Sequence, residues 1–222
     1  MPELQGQITE LFRQLLSEGV LLDVEVAPEW LRRPGRDEFG DGWSLVSEVY
    51  GDLTGLILPD VAPPREHRRL DVVITYPDAC RRVFEFDEGQ HFTGARVRTL
   101  EYYAGISTAF DINAWRNRAV ALAGRERGGG WGVAKPPLFP GSGGRHRQRA
   151  FRDFLADYMP TQRDGWLPTA RIHDTEAKVA LRAPSPVAAL ASLWNERTGE
   201  SVGSVPAVST EYAADSLHTP SA

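Results

Sequence analysis

Residues 70–87 read L-D-V-V-I-T-Y-P-D-A-C-R-R-V-F-E-F-D, and no other stretch of the chain restricts the fold as much. Two runs rich in β-branched and aromatic residues flank Y-P-D-A, whose Pro and Asp suit a tight turn. The segment predicts an antiparallel hairpin with strands at 70–75 and 81–86. A turn centred near Asp78 sets Asp71 opposite Glu85, each seven residues from the centre. Opposed residues share a face, with Cβ atoms about 5 Å apart. Glu85 and Asp87 share that face by the strand period of two. Asp71, Glu85 and Asp87 therefore project together, and Leu70, Val72, Ile74, Phe84 and Phe86 form the apolar face. A one-residue slip would mix the two sets, so the pattern selects this register.

The run then continues E-F-D-E-G-Q-H over 85–91, with three carboxylates in four residues. Like charges opposed on a sheet repel. A hard divalent cation removes that repulsion: Mg²⁺, or Mn²⁺ in its place, takes carboxylate oxygens, waters and substrate phosphate. In that setting an ion activates water and neutralises charge on a phosphodiester. An acidic hairpin end is equally a pattern of plain solvated surface, so both readings stand at this point. An EF-hand calcium loop is excluded, because its ligand spacing is absent and the flanks are strands.

The chain has 222 residues and a net charge of −5, which suits one ordinary domain and argues against a general polyanion coat. Any nucleic-acid contact must then be local. The single cysteine, Cys80, leaves no internal disulfide and fits a reducing, cytoplasmic setting. No signal-peptide pattern and no membrane-length apolar run are visible, so no membrane contact is expected.

Along the chain, apolar spacing predicts a helix over 4–18 and a strand over 20–26, then a loop over 27–42. A short helix at 43–50 and a strand at 53–58 follow. Beyond the hairpin, 95–123 is helical with a break near 108–111, and 145–158 is a helix. W-G-V-A at 131–134 and the stretch 166–172 are strand candidates. From 183 to 222 Pro, Ser, Thr and Ala dominate, which predicts a flexible tail with room for a short helix at 187–197.

An Asp opening one strand and Glu-x-Asp closing the next resembles the restriction-endonuclease-like PD-(D/E)xK nucleases. E-F-D-E-G-Q-H is similar to the E-x-D-G-G-Q-H wording of small bacterial proteins related to very short patch repair endonucleases. The resemblance implies an α/β core over 43–182, a mixed four- to five-stranded sheet flanked by helices, with 1–42 as an N-terminal extension. It implies a Mg²⁺-dependent endonuclease acting on DNA. Asp71 and Glu85 become metal ligands, with the Phe86 carbonyl as a third, and Glu48 resembles the helix glutamate that joins such a site. Asp87 stands where the family carries Lys. Water activation then falls to Asp87, Gln90, His91 or a residue such as Lys135, or else the domain binds nucleic acid or a protein partner without cutting. His91 reads either as a proton carrier or as a hydrogen-bonded structural residue beside Phe92.

In the helix over 145–158, Arg145, Arg149 and Arg152 fall on one stripe, with Arg147 and His146 nearby. Beside a metal-type hairpin this stripe is a candidate nucleic-acid contact; alone it is an ordinary solvated helix face.

Overall fold

The computed structural model describes residues 2–64, 68–126 and 128–200. Helix α1 (Pro2–Leu15) leads to strand β1 (Leu21–Val26), two single-turn helices α2 (Glu29–Arg32) and α3 (Arg36–Phe39), and helix α4 (Trp43–Thr54). Strands β2 (Leu70–Thr75) and β3 (Arg81–Asp87) form the hairpin. Helices α5 (Gly94–Leu100), α6 (Ile112–Leu122) and α7 (Gly144–Thr161) come next. Strand β4 (Trp166–His173), α8 (Asp174–Arg182) and α9 (Pro186–Thr198) are the last elements of the described residues. The fold is α/β, with one mixed sheet in the order β1-β2-β3-β4. The first two pairings are antiparallel, and β4 runs parallel to β3.

The hairpin has the register that its sequence implies. Val72 pairs with Phe84 and Val73 with Val83, and one step further sets Asp71 across from Glu85. The Asp78 side chain accepts the Cys80 amide at 2.9 Å, which closes the turn. One face of the sheet packs Val72, Ile74, Phe84 and Phe86 against α1 and α9. There Phe12 meets Phe84 at 4.6 Å and Trp194 at 5.0 Å between ring centroids. The other face carries Val73 and Val83 under α4, α6 and α7, through Val49, Trp115, Phe154 and Met159. This second face also bears Asp71, Glu85 and Asp87. Leu70 departs from the expected alternation and joins the second cluster, next to Glu25, which sits at φ 53° on the paired strand.

Several expected elements differ. The strand expected at 53–58 is absent: α4 runs on to Thr54, and Gly55 caps it at φ 71° with its amide on the Gly51 carbonyl. A glycine read as strand interior is thus a left-handed helix stop. The third antiparallel strand is β1, so the segment read as an N-terminal extension is paired into the sheet. In the expected loop at 27–42, α2 and α3 bury Leu31 and Phe39. The strand candidate at 131–134 does not form, and a 3₁₀ turn at Gly129–Trp131 runs into its first residue; the last strand is the other candidate, 166–172, observed as Trp166–His173.

Within the expected tail, α9 is an ordered core helix that buries Leu190 and Trp194. Its Ser185 cap, Pro at the first turn and Gly199 stop are standard helix boundary signals. The rest of that tail, 201–222, lies outside the described residues. No described helix is long and apolar enough to cross a membrane.

Candidate metal and phosphate site

The acidic face ends beneath α7. The Asp71 carboxylate accepts the Phe86 amide at 2.9 Å, and Glu85 accepts the Asp71 amide at 3.2 Å. Glu85 is only 1% exposed. Burial, with the Asp71 charge added, pushes its carboxyl up to about 8 against the pull of Arg68. Arg68, just ahead of β2, bonds to the second Glu85 oxygen. Half-buried Asp71 and buried Glu85 thus form a carboxylate pair with Arg68 as its counter-charge. Two such oxygen donors, with room for waters and a phosphate, are a donor set that Mg²⁺ accepts.

Asp87 is placed elsewhere. One of its oxygens takes Arg171 Nη1 at 2.6 Å and the other takes Trp115 Nε1 at 2.6 Å. Arg171 continues to Asp157 at 2.7 Å, and Asp157 receives Arg96 at 2.9 Å and the Tyr103 hydroxyl. This is a buried, hydrogen-bonded ionic network of the kind that satisfies charges in a core. Asp87, His91 and Asp153 do bring one ligand-type atom each within 4.8 Å of one another. Arg171, Trp115 and the imidazole already donate to these carboxylates, so the trio also serves as a node of the buried network.

His91 Nδ1 lies 2.9 Å from Asp153 and 3.4 Å from Asp87. Burial pulls the imidazole down, but the two carboxylates outweigh it and its pKa is raised. Asp153 is held well below the usual carboxylate range: burial pushes it up, and His91 with Arg171 and Arg96 overcome that. The raised histidine contributes stability below its unfolded pKa of about 6.5, and loses it as pH rises through the folded value. The depressed Asp153 contributes above about 3.9 and loses it as pH falls. The stability gap between wild type and His91→Gln is therefore expected to be widest between about pH 4 and 6.5, and to shrink on going alkaline. Urea titrations across pH 4–9 check this; a gap independent of pH would show that the pair does not titrate.

Above the carboxylates, α7 presents its second face. Arg145, Gln148, Arg149, Arg152 and Asp153 join Arg68, Asp71, Glu85 and His91 around one pocket of about 140 Å³. Phe151, Phe154, Leu155 and Met159 of the same helix are buried and hold it to the core. Arg149 donates to the Gln90 backbone oxygen at 3.2 Å and to its side-chain oxygen at 3.1 Å, while Gln90 donates to Glu88 at 2.8 Å. Burial and the flanking arginines lower the Arg149 pKa, so this guanidinium is one that an anion would stabilise.

The structure thus unites Asp71, Glu85, His91, Arg145, Arg149 and Arg152. Gln90 acts one layer back, as a clamp on Arg149. Arg147 turns away to the Ser142 and Pro140 carbonyls, at 2.8 and 2.6 Å, and fastens the loop before α7. Glu48 lines a separate groove with Arg36, Trp43 and Asp60. Lys135 is not among the residues that line the pocket.

Sequence reasoning missed Arg68, Gln148 and Asp153. The last two carried a signal, because 145, 148, 149, 152 and 153 recur at helical spacing. Arg68 had none: it is a loop residue recognisable only by where its side chain lands. Comparison with known protein families, with curated proteins and with solved structures finds no match for this chain.

Proposed function

We propose that this protein is a Mg²⁺-dependent nuclease with a restriction-endonuclease-like core, hydrolysing phosphodiester bonds in DNA. One observation carries the reading. Two clusters about sixty residues apart in sequence, the hairpin carboxylates with His91 and the α7 arginines, line one pocket. An anion-gripping rim over a carboxylate floor is the arrangement that phosphodiester hydrolysis needs. Arg145, Arg149 and Arg152 hold the backbone phosphate by charge-assisted hydrogen bonds. Asp71 and Glu85 hold the divalent ion, which when bound supplies Lewis acidity and an activated water. The family lysine is replaced by Asp87, which is committed to Arg171 and Trp115. His91 is then the proton carrier: its Nδ1 is committed to Asp153, so exchange with the pocket runs through Nε2. The preference for DNA rests on analogy with the family.

Supercoiled plasmid and single-stranded DNA, incubated with Mg²⁺, Mn²⁺ or EDTA, test the reading. Cutting is expected with either ion and none with EDTA; a protein that cuts neither DNA nor RNA with any divalent ion is not a nuclease.

A second reading is a module that binds DNA without cutting. It is favoured by Arg68 and Arg171, which already supply counter-charge to Glu85 and Asp87. Under both readings, replacing Arg145, Arg149 and Arg152 with Ala weakens DNA binding. Each phosphate that is no longer neutralised lowers the slope of log affinity against log salt by about 0.9. An unchanged affinity and slope would reduce the stripe to ordinary surface and remove both readings.

A further inference from the structure

We propose that Arg68 and a divalent cation are alternative occupants of one place on the carboxylate floor. The guanidinium holds Glu85 while no ion is bound, and it passes to a substrate phosphate when an ion takes its place. The inference rests on the metal reading of Asp71 and Glu85 above and adds how that site is regulated.

Two arginines reach this floor, and they are held differently. Arg171 uses all three of its nitrogens, on Asp157 at 2.7 Å, on Asp87 at 2.6 Å and on the Asp153 carbonyl at 3.1 Å. Arg68 uses one. Its Nη2 donates to Glu85, and its Nε is buried with no hydrogen-bond partner among the described residues. A buried N–H left without an acceptor keeps its desolvation cost, so Glu85 holds Arg68 less firmly than the network holds Arg171. The Arg68 backbone is fixed separately: its amide donates to the carbonyl of core residue Leu31 at 3.2 Å. Exchange therefore needs only new rotamers of one long side chain.

Glu85 cannot serve two cations well. One of its oxygens accepts Arg68 and the other accepts the Asp71 amide at 3.2 Å. On Asp71 one oxygen accepts the Phe86 amide at 2.9 Å, and the other has no hydrogen-bond partner among the described residues. A hard cation drawing on both carboxylates therefore meets the guanidinium on the same Glu85 group. Two cations a few ångströms apart on a buried carboxylate repel, with little water between them to screen the repulsion. Exchange removes the conflict, because one cation leaves Glu85 as the other arrives.

The displaced side chain has a destination. Arg68 lines the same pocket as Arg145 and Arg149, and its side chain is 13% exposed there. A phosphate held by the α7 arginines brings new acceptors to that pocket, and a guanidinium fork takes phosphate oxygens in pairs. A phosphate thus draws Arg68 off Glu85 and opens the carboxylate to the ion. Ion and phosphate then favour one another through a single residue, by the same factor in each direction. Without a phosphate Arg68 keeps Glu85 closed, so the ion is taken up together with its substrate.

Mn²⁺ binding tests this, followed by the electron-paramagnetic-resonance signal of the free ion at about pH 8.5, where protons compete least for the carboxylates. Arg68→Met should bind Mn²⁺ roughly 10- to 10³-fold more tightly than wild type, the effect of removing one charge within a few ångströms. Arg68→Gln should do the same, and Arg68→Lys, which keeps the charge, should bind no more tightly than wild type. Melting curves in EDTA and in Mn²⁺ monitor folding, and a neutral variant that folds only with Mn²⁺ also supports the exchange. A deoxynucleoside 5′-monophosphate has a phosphate but no phosphodiester to cut; it should tighten Mn²⁺ binding in wild type and do so less in Arg68→Met. Unchanged or weaker Mn²⁺ binding in the folded neutral variants overturns the exchange, and equal tightening in both proteins overturns the transfer to phosphate. Cutting of DNA by wild type beside either result leaves the nuclease reading standing. A wild type that binds no Mn²⁺, with binding gained in Arg68→Met, upholds Arg68 as the occupant and removes the nuclease reading. Binding by neither protein removes both.

Discussion

Arg171→Met is expected to destabilise the protein by about 3–5 kcal/mol, the usual cost of removing one partner from a buried ion pair. Arg171 is fully buried and bridges two carboxylates, Asp87 at 2.6 Å and Asp157 at 2.7 Å, while its third nitrogen reaches the Asp153 carbonyl at 3.1 Å. Methionine retains most of the volume, so the loss reports on charge and not on a cavity. Lysine should rescue poorly, because a point charge does not span the fork that two carboxylates require. Adding Asp87→Asn to the Met variant should recover part of the loss, since a neutral amide no longer needs the cation; Asp157 keeps its pairing with Arg96 at 2.9 Å. Urea denaturation gives all four values. A loss under 1 kcal/mol for Arg171→Met would mean that water reaches these carboxylates.

The second large effect concerns chemistry and presupposes the nuclease reading. Glu85→Gln keeps shape and removes the charge that holds a divalent ion, so cleavage should fall below detection. DNA binding should persist, because the phosphate contacts come from the α7 arginines and a carboxyl raised to about 8 is largely uncharged near neutral pH without the ion. Asp71→Asn should behave alike. His91→Ala should lower cleavage roughly 10²–10⁴-fold with metal affinity kept, the range for loss of a general acid or base. If His91 only braces Asp153, the same variant loses melting temperature and retains its rate per folded molecule. Cutting that survives Glu85→Gln unchanged belongs to another site or to a contaminant.

The hairpin was legible because two independent signals agree on it. The period of two separates Val72, Ile74, Phe84 and Phe86 from Asp71 and Glu85, and the turn at Asp78 sets which residues oppose. The covering of the acidic face was not legible. Alternation of polar and apolar residues normally marks a strand with one wet side. Here α7 lies over that side, and the charges are met by Arg68 and Arg171, of which the latter is 84 residues from Asp87. Nothing local to E-F-D-E announces either partner, so a divalent cation was the economical inference for all three carboxylates. The strand assigned to 53–58 failed for a different reason: L-T-G-L-I-L has strand composition, but Gly55 stops a helix that already buries Val46, Val49, Tyr50 and Leu53.

The parallel pairing of β3 with β4 has a kinetic meaning. The hairpin closes over a short loop, whereas β4 joins it only after α5, α6 and α7 have been threaded between them. Loop-closure entropy makes such a contact late. Since β4 carries Arg171, the cation for Asp87 and Asp157 arrives with the last strand. Until it docks, those carboxylates favour water over the interior, and the hairpin's acidic face resists collapse. Completion of the sheet and neutralisation of its core are therefore a single event, which discourages a compact intermediate that has buried the acids without their arginine.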